Sequence, residues 1–433
     1  MKESLSFIHK SQIISVIEKM LLYFDPRLVD HGERVAYIVL EMLRHAQPPL
    51  DIDQDKLLIL SLLHDVGAYK TEEIDEMVSF DSGSVWSHAI YGYLFLKYMS
   101  PIGDEAEAIL YHHLDYRDYD KTDSQYLNYA GLICLADRID ILNVTDAGQR
   151  DFSLILKHSG KRFHPEYVKL FFQSDPNQIA ENLRNGNYRE TVTKAVEQLD
   201  LTVEQAFEYL KMMVFSVDFR SEYTVTHTMN TTAISLELGK CLGLPIEEIK
   251  KLYLGAMLHD VGKVAISPDI LEFQGRLTSE QMEIMKRHVA YTHEIIEGLV
   301  DEEIVKIASR HHEKLDGSGY PEGLKEAQLT MPQQIVAVAD IVSALTSKRS
   351  YKEAFSKEKT VDILRRMMQS GQLCAAACEI MISRFDEILS VTDTSRDPII
   401  RLYGTINFEA PQRAERPEIL NFQPVKRRLS RVG

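Results

Sequence analysis

The spacing of apolar residues along the chain predicts an almost entirely helical protein. Apolar residues recur at intervals of three and four from the N-terminal part onwards, as at Ile13, Ile14, Ile17 and Leu21, and this period is typical of one face of an amphipathic helix. The same period continues almost to the end of the chain, whereas strand-like alternation is scarce. The sequence therefore predicts an all-α fold.

An internal repeat divides the chain into two similar halves. Leu-Leu-His-Asp-Val-Gly at 62–67 returns as Met-Leu-His-Asp-Val-Gly at 257–262. Further pairs recur in the same order, and they are His31 with His227, His88 with His288, His112 with His311, His113 with His312, and Asp137 with Asp340. Such self-similarity predicts a duplicated domain. We expect two helical bundles at 1–198 and 199–408, followed by a Pro- and Arg-rich C-terminal tail at 409–433.

Composition and charge narrow the class of protein. The 433 residues, 45% of them hydrophobic, suffice for two or three domains with full cores. A formal net charge of −16 argues against bulk binding of DNA or RNA, because a polyanion would be repelled. The four cysteines form no CxxC pair and predict no disulfide framework. Since no signal peptide or membrane span is predicted either, we expect a cytoplasmic protein.

The stretch from 258 to 321 is dense in residues that bind metals or phosphates. His nitrogens and Asp oxygens without a thiolate suit iron, manganese, zinc or nickel, and they do not suit calcium. His259 and Asp260 end an apolar predicted helix, so both side chains would protrude from one platform, and the carboxylate could bridge two ions. Two ions about 4 Å apart can acidify a shared water and neutralise charge on a reacting phosphate ester.

Neighbouring residues predict phosphate binding and loop positioning. Lys263 lies one turn after the His-Asp pair, and Arg349 and Lys352 add two further donors for a phosphate. We expect Glu313 to orient a neighbouring histidine or the following loop rather than to bind metal. Asp316 precedes a glycine, so it is either a turn residue or a residue of the catalytic site.

Together these motifs resemble the signature of the HD-GYP family, which belongs to the HD-domain phosphohydrolase superfamily. The resemblance is carried by His227, His259–Asp260 with Lys263, His288, HHEKLDGSGYP at 311–321, VAD at 338–340 and KRSYK at 348–352. It implies a metal-dependent phosphodiesterase that opens a cyclic dinucleotide to a linear dinucleotide. Asp260 and Lys263 would then lie at the catalytic centre.

The resemblance also implies roles for individual residues. It implies two divalent ions per active site, with iron or manganese favoured over nickel or zinc. One ion would be held by His227, His259, Asp260 and Asp340, and the other by Asp260, His288, His311 and His312. Substrate phosphates would be bound by Lys263, Arg349 and Lys352. The loop beside the site would be shaped by Gly319, Tyr320 and Pro321, with Tyr320 near a nucleobase.

Three departures from the family pattern limit which residue roles the resemblance implies for this chain. Some members hold a third metal with a Glu at the position of Tyr223, so we expect two ions here. The usual Asp after VAD is Ser343, and the usual Arg-Pro-Tyr-Lys is Arg349-Ser350-Tyr351-Lys352. Substrate contacts near the base, including any made by Ser343, are therefore expected to differ from those of cyclic di-GMP enzymes, and the base preference stays open.

The first half retains the ligand types but lacks two other features. Ala68 stands at the position of Lys263, and LDYRDYDKTD replaces the Gly-Tyr-Pro loop. This resembles a degenerate HD domain, and its retained residues are candidates for a second metal site, namely His31, His64, Asp65, His88, His112, His113 and Asp137. It is an inactive metal-bound scaffold, a regulatory nucleotide site, or a second hydrolase acting on a terminal phosphate of the linear product.

The tandem layout is similar to that of phosphodiesterases acting on 3′,3′-cyclic GMP-AMP, and this resemblance favours that substrate over cyclic di-GMP. A hypothesis of another class is a non-catalytic receptor that binds the nucleotide and signals through a partner protein. A nucleotidase acting on mononucleotides is a third hypothesis, which the Gly-Tyr-Pro element disfavours. The sequence leaves open a homodimer or a signalling-protein partner.

Overall fold

The computed structural model describes residues 9–24, 30–70, 86–145, 152–219, 222–271, 273, 275–347 and 354–414. Regular structure within these ranges is helical, and the β-type pairings described there are two isolated bridges, Ser159 with Phe163 and Asp316 with Lys325. The all-α prediction is therefore confirmed. Among the described helices, none combines the length and the apolar character needed to cross a bilayer.

The chain forms two compact units. Among the described residues, those within His31–Lys97, Ile102–Ala195 and Asn407–Ala414 form the N-terminal unit, and those within His9–Asp30, Tyr98–Pro101 and Val196–Ile406 form the C-terminal unit. The change of unit near residue 196 lies close to the boundary that the repeat predicts. The first helix of the chain, however, belongs to the C-terminal unit, and an internal repeat gives no information about a segment that precedes its first copy.

The N-terminal unit is centred on one helix that packs against two others. This helix, α2 (His31–Arg44), contacts α3 (Gln54–Leu63) and α6 (Leu127–Thr145). The other helices are α4 (Ser87–Met99), α5 (Glu107–Leu110), α7 (Ser153–Lys157), α8 (Pro165–Gln173), α9 (Pro176–Asn185) and α10 (Tyr188–Gln198). Short 3₁₀ helices cover Val66–Lys70, Gly103–Ala106 and Tyr116–Lys121.

The C-terminal unit begins with α1 (Lys10–Phe24), continues with α11 (Val203–Asp218), and has its core between α12 (Glu222–Cys241), α13 (Ile246–Leu258) and α18 (Met331–Thr346). Ile234, Leu252 and Val338 are fully buried in this core. The remaining helices are α14 (Pro268–Leu271), α15 (Ser279–Lys286), α16 (His288–Ile296), α17 (Glu302–Ser309), α19 (Lys357–Gln369), α20 (Ala375–Ser383) and α21 (Phe385–Ala414), of which α21 belongs to this unit up to Ile406. Val261–Ala265 and Glu326–Gln328 are 3₁₀ helices.

A glycine after each His-Asp pair allows two segments to approach closely. A Cβ atom on Gly262 would lie 2.0 Å from the backbone oxygen of His288, and one on Gly67 would lie 2.0 Å from that of His88. Backbone atoms cannot give way at such distances, so only glycine fits. The same close approach in both units places the turn after the His-Asp pair against the helix that carries the next histidine.

Candidate metal centre

In the C-terminal unit, four predicted ligands from three helices meet at one point. His227 lies on α12, His259 caps the C-terminus of α13 with Asp260 following it, and Asp340 lies on α18. His227 Nε2 is 3.0 Å from Asp340 Oδ1 and 3.6 Å from Asp260 Oδ2. His259 Nε2 is 3.1 Å from the same Asp260 oxygen. His227, His259 and Asp260 offer ligand atoms within 4.8 Å of one another, which suits one ion.

Three further histidines surround the other oxygen of Asp260. His288 begins α16, and His311 and His312 follow α17. Asp260 Oδ1 lies 3.4 Å from His288 Nε2 and 3.9 Å from His311 Nε2. The ligand atoms of the three histidines lie within 4.8 Å of one another. Because each oxygen of Asp260 faces a different group of histidines, this carboxylate is placed to bridge two ions.

Backbone carbonyl groups fix the tautomer of the helix-terminal histidines. Nδ1–H of His259 donates to Ala256 at 2.7 Å, that of His288 to Met285 at 2.6 Å, and that of His311 to Ala308 at 2.7 Å. A carbonyl oxygen only accepts, so Nδ1 carries the hydrogen and Nε2 presents its lone pair when the ring is neutral. His259 Nε2 is also buried without a hydrogen-bond partner, which is the environment a metal ligand needs.

Burial and the surrounding charges lower the pKa of most histidines at the site and keep Asp260 ionised, whereas Asp260 outweighs burial and raises the pKa of His259. Burial lowers the pKa of His288 to about 4 and that of His312 to about 3. For Asp260, burial acts to raise the pKa, but His259 and Lys263 outweigh it and hold the pKa well below its usual range. Metal binding requires neutral histidines and ionised carboxylates, so an ion would displace a proton from His259 where that ring is protonated. The residues present therefore fit divalent first-row ions.

Lys263 lies on the 3₁₀ helix Val261–Ala265, and its ammonium group pairs with Asp260 Oδ2. Thr292, which the sequence reasoning missed, holds this segment in place. Its hydroxyl donates to the backbone oxygen of His259 at 3.0 Å and accepts from the amide of Gly262 at 3.0 Å. Thr292 lies one turn after His288 on α16, so it joins the His-Asp turn to the next ligand helix. That i+4 spacing is the signal that could have identified it.

The Gly-Tyr-Pro loop is held by Glu313. This buried carboxylate accepts from the amides of Glu322 at 2.7 Å, Gly323 at 3.1 Å and Leu324 at 2.9 Å. The predicted role of Glu313 in orienting the loop thus has a direct geometric basis. Gly319 has no room for a side chain, since a Cβ atom would lie 2.5 Å from the Cα atom of Glu313.

Asp316 and Tyr320 belong to the same loop, but only Tyr320 lies beside the candidate metal ligands. The exposed Asp316 accepts from the amide and the hydroxyl of Ser318 at 2.9 and 2.7 Å, so it acts in this structure as a turn residue. The Tyr320 ring lies 4.8 Å from that of His312, and Lys286 Nζ lies 5.5 Å from the Tyr320 ring centre. Tyr320 therefore lies beside the candidate metal centre, and its contact with a nucleobase stays a prediction.

Ser343 is placed differently from the predicted substrate contact. Its side chain is fully buried, and its hydroxyl accepts from Nδ1 of His227 at 2.9 Å while donating to the His227 backbone oxygen at 3.1 Å. Because its side chain has no exposed surface, a nucleotide could not reach Ser343 in this arrangement. Ser343 instead orients His227. It lies one turn after Asp340 on α18, so it is on the helix face that contacts His227.

The N-terminal unit assembles a second group of ligands. His31 Nε2 lies 3.4 Å from Asp137 Oδ1, and Asp65 Oδ1 lies 3.5 Å from His88 Nε2. His64 Nε2 is buried without a hydrogen-bond partner, as is the matching atom of His259. Two groups offer ligand atoms within 4.8 Å of one another, and they are His31, His64 and Asp137, and His88, His112 and His113.

The two units balance the carboxylate charge differently. In the N-terminal unit, the buried Arg138 donates to Asp137 Oδ2 from Nη2 at 2.7 Å, and Arg34 donates to Asp140 from Nε at 2.6 Å. Asp140 in turn accepts from Nδ1 of His31 at 2.7 Å. Burial acts to lower the pKa of His31, but hydrogen bonds to Asp137 and Asp140 raise it to about 10. Arginines thus supply the positive charge that Lys263 supplies in the other unit.

Several predicted residues fall outside the described residues. Arg349 and Lys352, the two additional phosphate donors, lie there, as do the side chain of Tyr223 and the part of the tail at 415–433. The first six residues of the predicted tail continue α21 to Ala414. The phosphate-binding roles of Arg349 and Lys352 therefore stay predictions.

Comparison with family models identifies two regions. One model described as an HD domain matches residues 28–142, and another with the same description matches residues 208–373. These matches contain the ligand groups of the N-terminal and the C-terminal unit respectively.

Individual proteins resemble the chain over different lengths. The 3′3′-cGAMP-specific phosphodiesterase 1 of Vibrio cholerae is 28% identical over 382 residues, which is 82% of this chain and 86% of that protein. The cyclic di-GMP phosphodiesterase response regulator RpfG of Xanthomonas campestris is 35% identical over 178 residues, which is 40% of this chain and 47% of that protein. A crystal structure of a cyclic GMP-AMP-specific phosphodiesterase of Vibrio cholerae superposes with a TM-score of 0.54 at 16% identity, covering 87% of this chain and 97% of that one. The last likeness shows the fold alone.

Proposed function

The chain belongs to the HD-domain family, with one HD domain in each half, and on this basis we propose that its C-terminal HD domain is a phosphodiesterase that hydrolyses a cyclic dinucleotide to a linear dinucleotide. The observation that carries the proposal is the C-terminal site itself. There, Asp260 faces histidines with both of its oxygens and Lys263 lies beside it. The site thus combines a metal centre with a cation for a phosphate, and the similar curated proteins are cyclic dinucleotide phosphodiesterases.

Two divalent ions, iron or manganese ahead of nickel or zinc, would be bound at this site. The donors would be His227, His259 and Asp340 for one ion and His288, His311 and His312 for the other, with Asp260 between them. When bound, such ions activate water and neutralise charge on a phosphate.

The side chains around the donors bind and orient the substrate. The ammonium group of Lys263 lies at the metal centre, where it would donate to a non-bridging phosphate oxygen. Tyr320 would present its ring to a nucleobase, and Glu313 keeps the Tyr320 loop in position through three amides. Arg349 and Lys352 would add donors for the second phosphate.

The favoured substrate is 3′,3′-cyclic GMP-AMP, and cyclic di-GMP is the alternative. The phosphodiesterase named for cyclic GMP-AMP matches 82% of this chain, whereas the cyclic di-GMP response regulator matches 40%. The similarity to the phosphodiesterase named for cyclic GMP-AMP extends over both HD domains, which supports 3′,3′-cyclic GMP-AMP as the substrate. To test this, metal-loaded protein is incubated with both nucleotides and with cyclic di-AMP, and the products are identified by mass. Faster conversion of cyclic GMP-AMP supports the preference, and full activity of Asp260→Ala would exclude the assigned site.

The N-terminal HD domain is proposed as a second metal site, with the seven ligands from His31 to Asp137 given above. Its buried, unpartnered His64 Nε2 supports this proposal. Comparing the products of His64→Ala and His259→Ala distinguishes the three hypotheses for this unit, which are a second hydrolase, a regulatory nucleotide site and a scaffold. Accumulation of a linear dinucleotide with its terminal phosphate in His64→Ala alone would indicate a second hydrolase. Unchanged products but altered nucleotide dependence would indicate regulation, and no change in either would indicate a scaffold.

A non-catalytic receptor is the rival function. It would bind the nucleotide tightly without turnover in metal-replete protein, and the complete ligand set with Lys263 disfavours it. Measuring binding and product formation in one sample decides between them, since a receptor retains the cyclic nucleotide unchanged.

A further inference from the structure

The first helix of the chain is built into the C-terminal unit. Helix α1 precedes the N-terminal HD domain in sequence, yet it belongs to the unit that contains Val196–Ile406. Within this unit it packs against α11, the 3₁₀ helix Val261–Ala265 and α16. Its residues Ile13, Val16 and Met20 are fully buried. The N-terminal HD domain is therefore inserted, in chain order, between two packed helices of the C-terminal unit.

Polar contacts attach α1 to the end of α16. Lys19 Nζ donates to the backbone oxygens of Glu294 at 3.1 Å and Glu297 at 3.3 Å. These carbonyl groups lie at the C-terminal end of α16, where helix acceptors lack internal partners and a cation is favourable. Tyr23 donates from its hydroxyl to Glu294 Oε2 at 2.6 Å, and its ring lies 5.7 Å from that of Tyr291.

The elements that α1 contacts carry the chemistry of the site. Helix α16 begins with His288, and the 3₁₀ helix directly follows Asp260 and contains Lys263. These two elements are joined by the Thr292 hydroxyl and by the close approach at Gly262. Helix α1 therefore supports both sides of this junction. Small displacements of such groups strongly affect a site whose ligands must converge on one point.

We propose that α1 is a positioning element of the C-terminal metal centre, which holds the His259–Lys263 turn and the helix starting at His288 in their relative positions. The segment before the N-terminal HD domain thereby completes the site of the C-terminal HD domain. This inference concerns the ligand geometry and applies to whichever nucleotide is the substrate. Only its activity readout rests on the proposed function.

The test uses the full chain with Lys19→Met and Tyr23→Phe combined, because these changes remove the polar contacts but leave the buried face of α1 intact. Lys19→Arg keeps a cation at the α16 carbonyl groups. Lys240→Met is the matched control, since Lys240 is an exposed lysine of the same unit that pairs with Glu237 on the surface. All variants also carry His64→Ala, so that the C-terminal site dominates metal binding.

Cobalt(II) absorption, cobalt affinity, kcat and KM are measured for each variant. We expect the double variant to change the cobalt spectrum and to lose about 10-fold in affinity and in kcat, with KM within about twofold, as for other residues that orient ligands. Lys19→Arg and Lys240→Met should match their parent. A lower melting temperature of the double variant with unchanged spectrum, affinity and kcat would make α1 a stabilising helix only and overturn the proposal. Absence of turnover in the parent would contradict the proposed function, whereas the cobalt measurements would still decide the role of α1.

Discussion

The Ser343 hydroxyl accepts a hydrogen bond from Nδ1 of His227 at 2.9 Å. Asp140 makes the equivalent contact with His31 in the N-terminal unit at 2.7 Å. Both contacts leave Nε2 of the histidine directed at the ligand group. The acceptor is the neutral Ser343 hydroxyl for His227 and the charged Asp140 carboxylate for His31. The two histidines therefore differ in basicity, although they occupy matching positions in the two units.

Replacing Ser343 with alanine should therefore weaken metal binding in the C-terminal unit. His227 would lose the acceptor that fixes its tautomer and ring orientation, and loss of such a partner lowers metal affinity by about 10- to 100-fold. Metal titration monitored by calorimetry measures this. Ser347→Ala is the control, because Ser347 is another buried serine near α18 whose hydroxyl contacts Asn230 at 3.2 Å. Equal affinity of Ser343→Ala and wild type would contradict the positioning role.

Replacing Lys263 with methionine should separate catalysis from metal binding. The ammonium group pairs with Asp260 at the metal centre, and loss of one donor to a developing charge lowers kcat by about 10²- to 10³-fold. Metal content, measured by elemental analysis, should stay at the wild-type level or rise, since a competitor for Asp260 is gone. Lys306→Met, which removes a partly exposed lysine paired with Glu302, should leave both quantities unchanged. A Lys263→Met protein that lost its metal would show a structural role instead.

Replacing Glu313 with glutamine should loosen the Gly-Tyr-Pro loop. One of the three amide contacts to Glu322, Gly323 and Leu324 would face an NH₂ group, and an unsatisfied buried group costs about 1–3 kcal/mol. Hydrogen exchange of these amides should then accelerate by about 5- to 150-fold. Glu322→Gln is the control, because its exposed carboxylate pairs with Arg310 and accepts no hydrogen bond from these amides. Exchange rates that stay at the wild-type level in Glu313→Gln would show that other contacts hold the loop.

Asp218 should make the stability of the metal-free protein depend on pH. Burial raises the pKa of this carboxyl group to about 7, and one of its oxygens has no hydrogen-bond partner. The folded protein therefore keeps a proton that the unfolded chain releases near pH 4, so stability falls between about pH 4 and pH 7, by at most about 4 kcal/mol. Asp218→Asn cannot ionise, and it should be more stable than wild type at pH 8.

Urea unfolding in the presence of a chelator, from pH 4 to pH 8, tests this dependence. The difference between wild type and Asp218→Asn isolates the carboxyl group from the many buried histidines. Asp386→Asn, at an exposed residue paired with Lys357, should retain the wild-type profile. Parallel profiles for wild type and Asp218→Asn would show that Asp218 is already ionised when folded.

The sequence by itself determined the helical class, the duplication and the types of the candidate metal ligands. Each of these is local, because a helical period, a repeated His-Asp pair or the contrast between Lys263 and Ala68 can be read without knowing how distant segments pack. Spacing and order also sufficed to match His31 with His227 and Asp137 with Asp340.

Only the tertiary structure decided how these residues are held. Ser343 orients His227 from 116 positions away, and Thr292 joins its helix to a turn more than 30 residues earlier. Lys19 contacts Glu294 across 275 positions, which places α1 in the C-terminal unit. Such contacts depend on which faces of distant helices are buried together, and apolar periodicity fixes which face of a helix is buried but not which helix covers it.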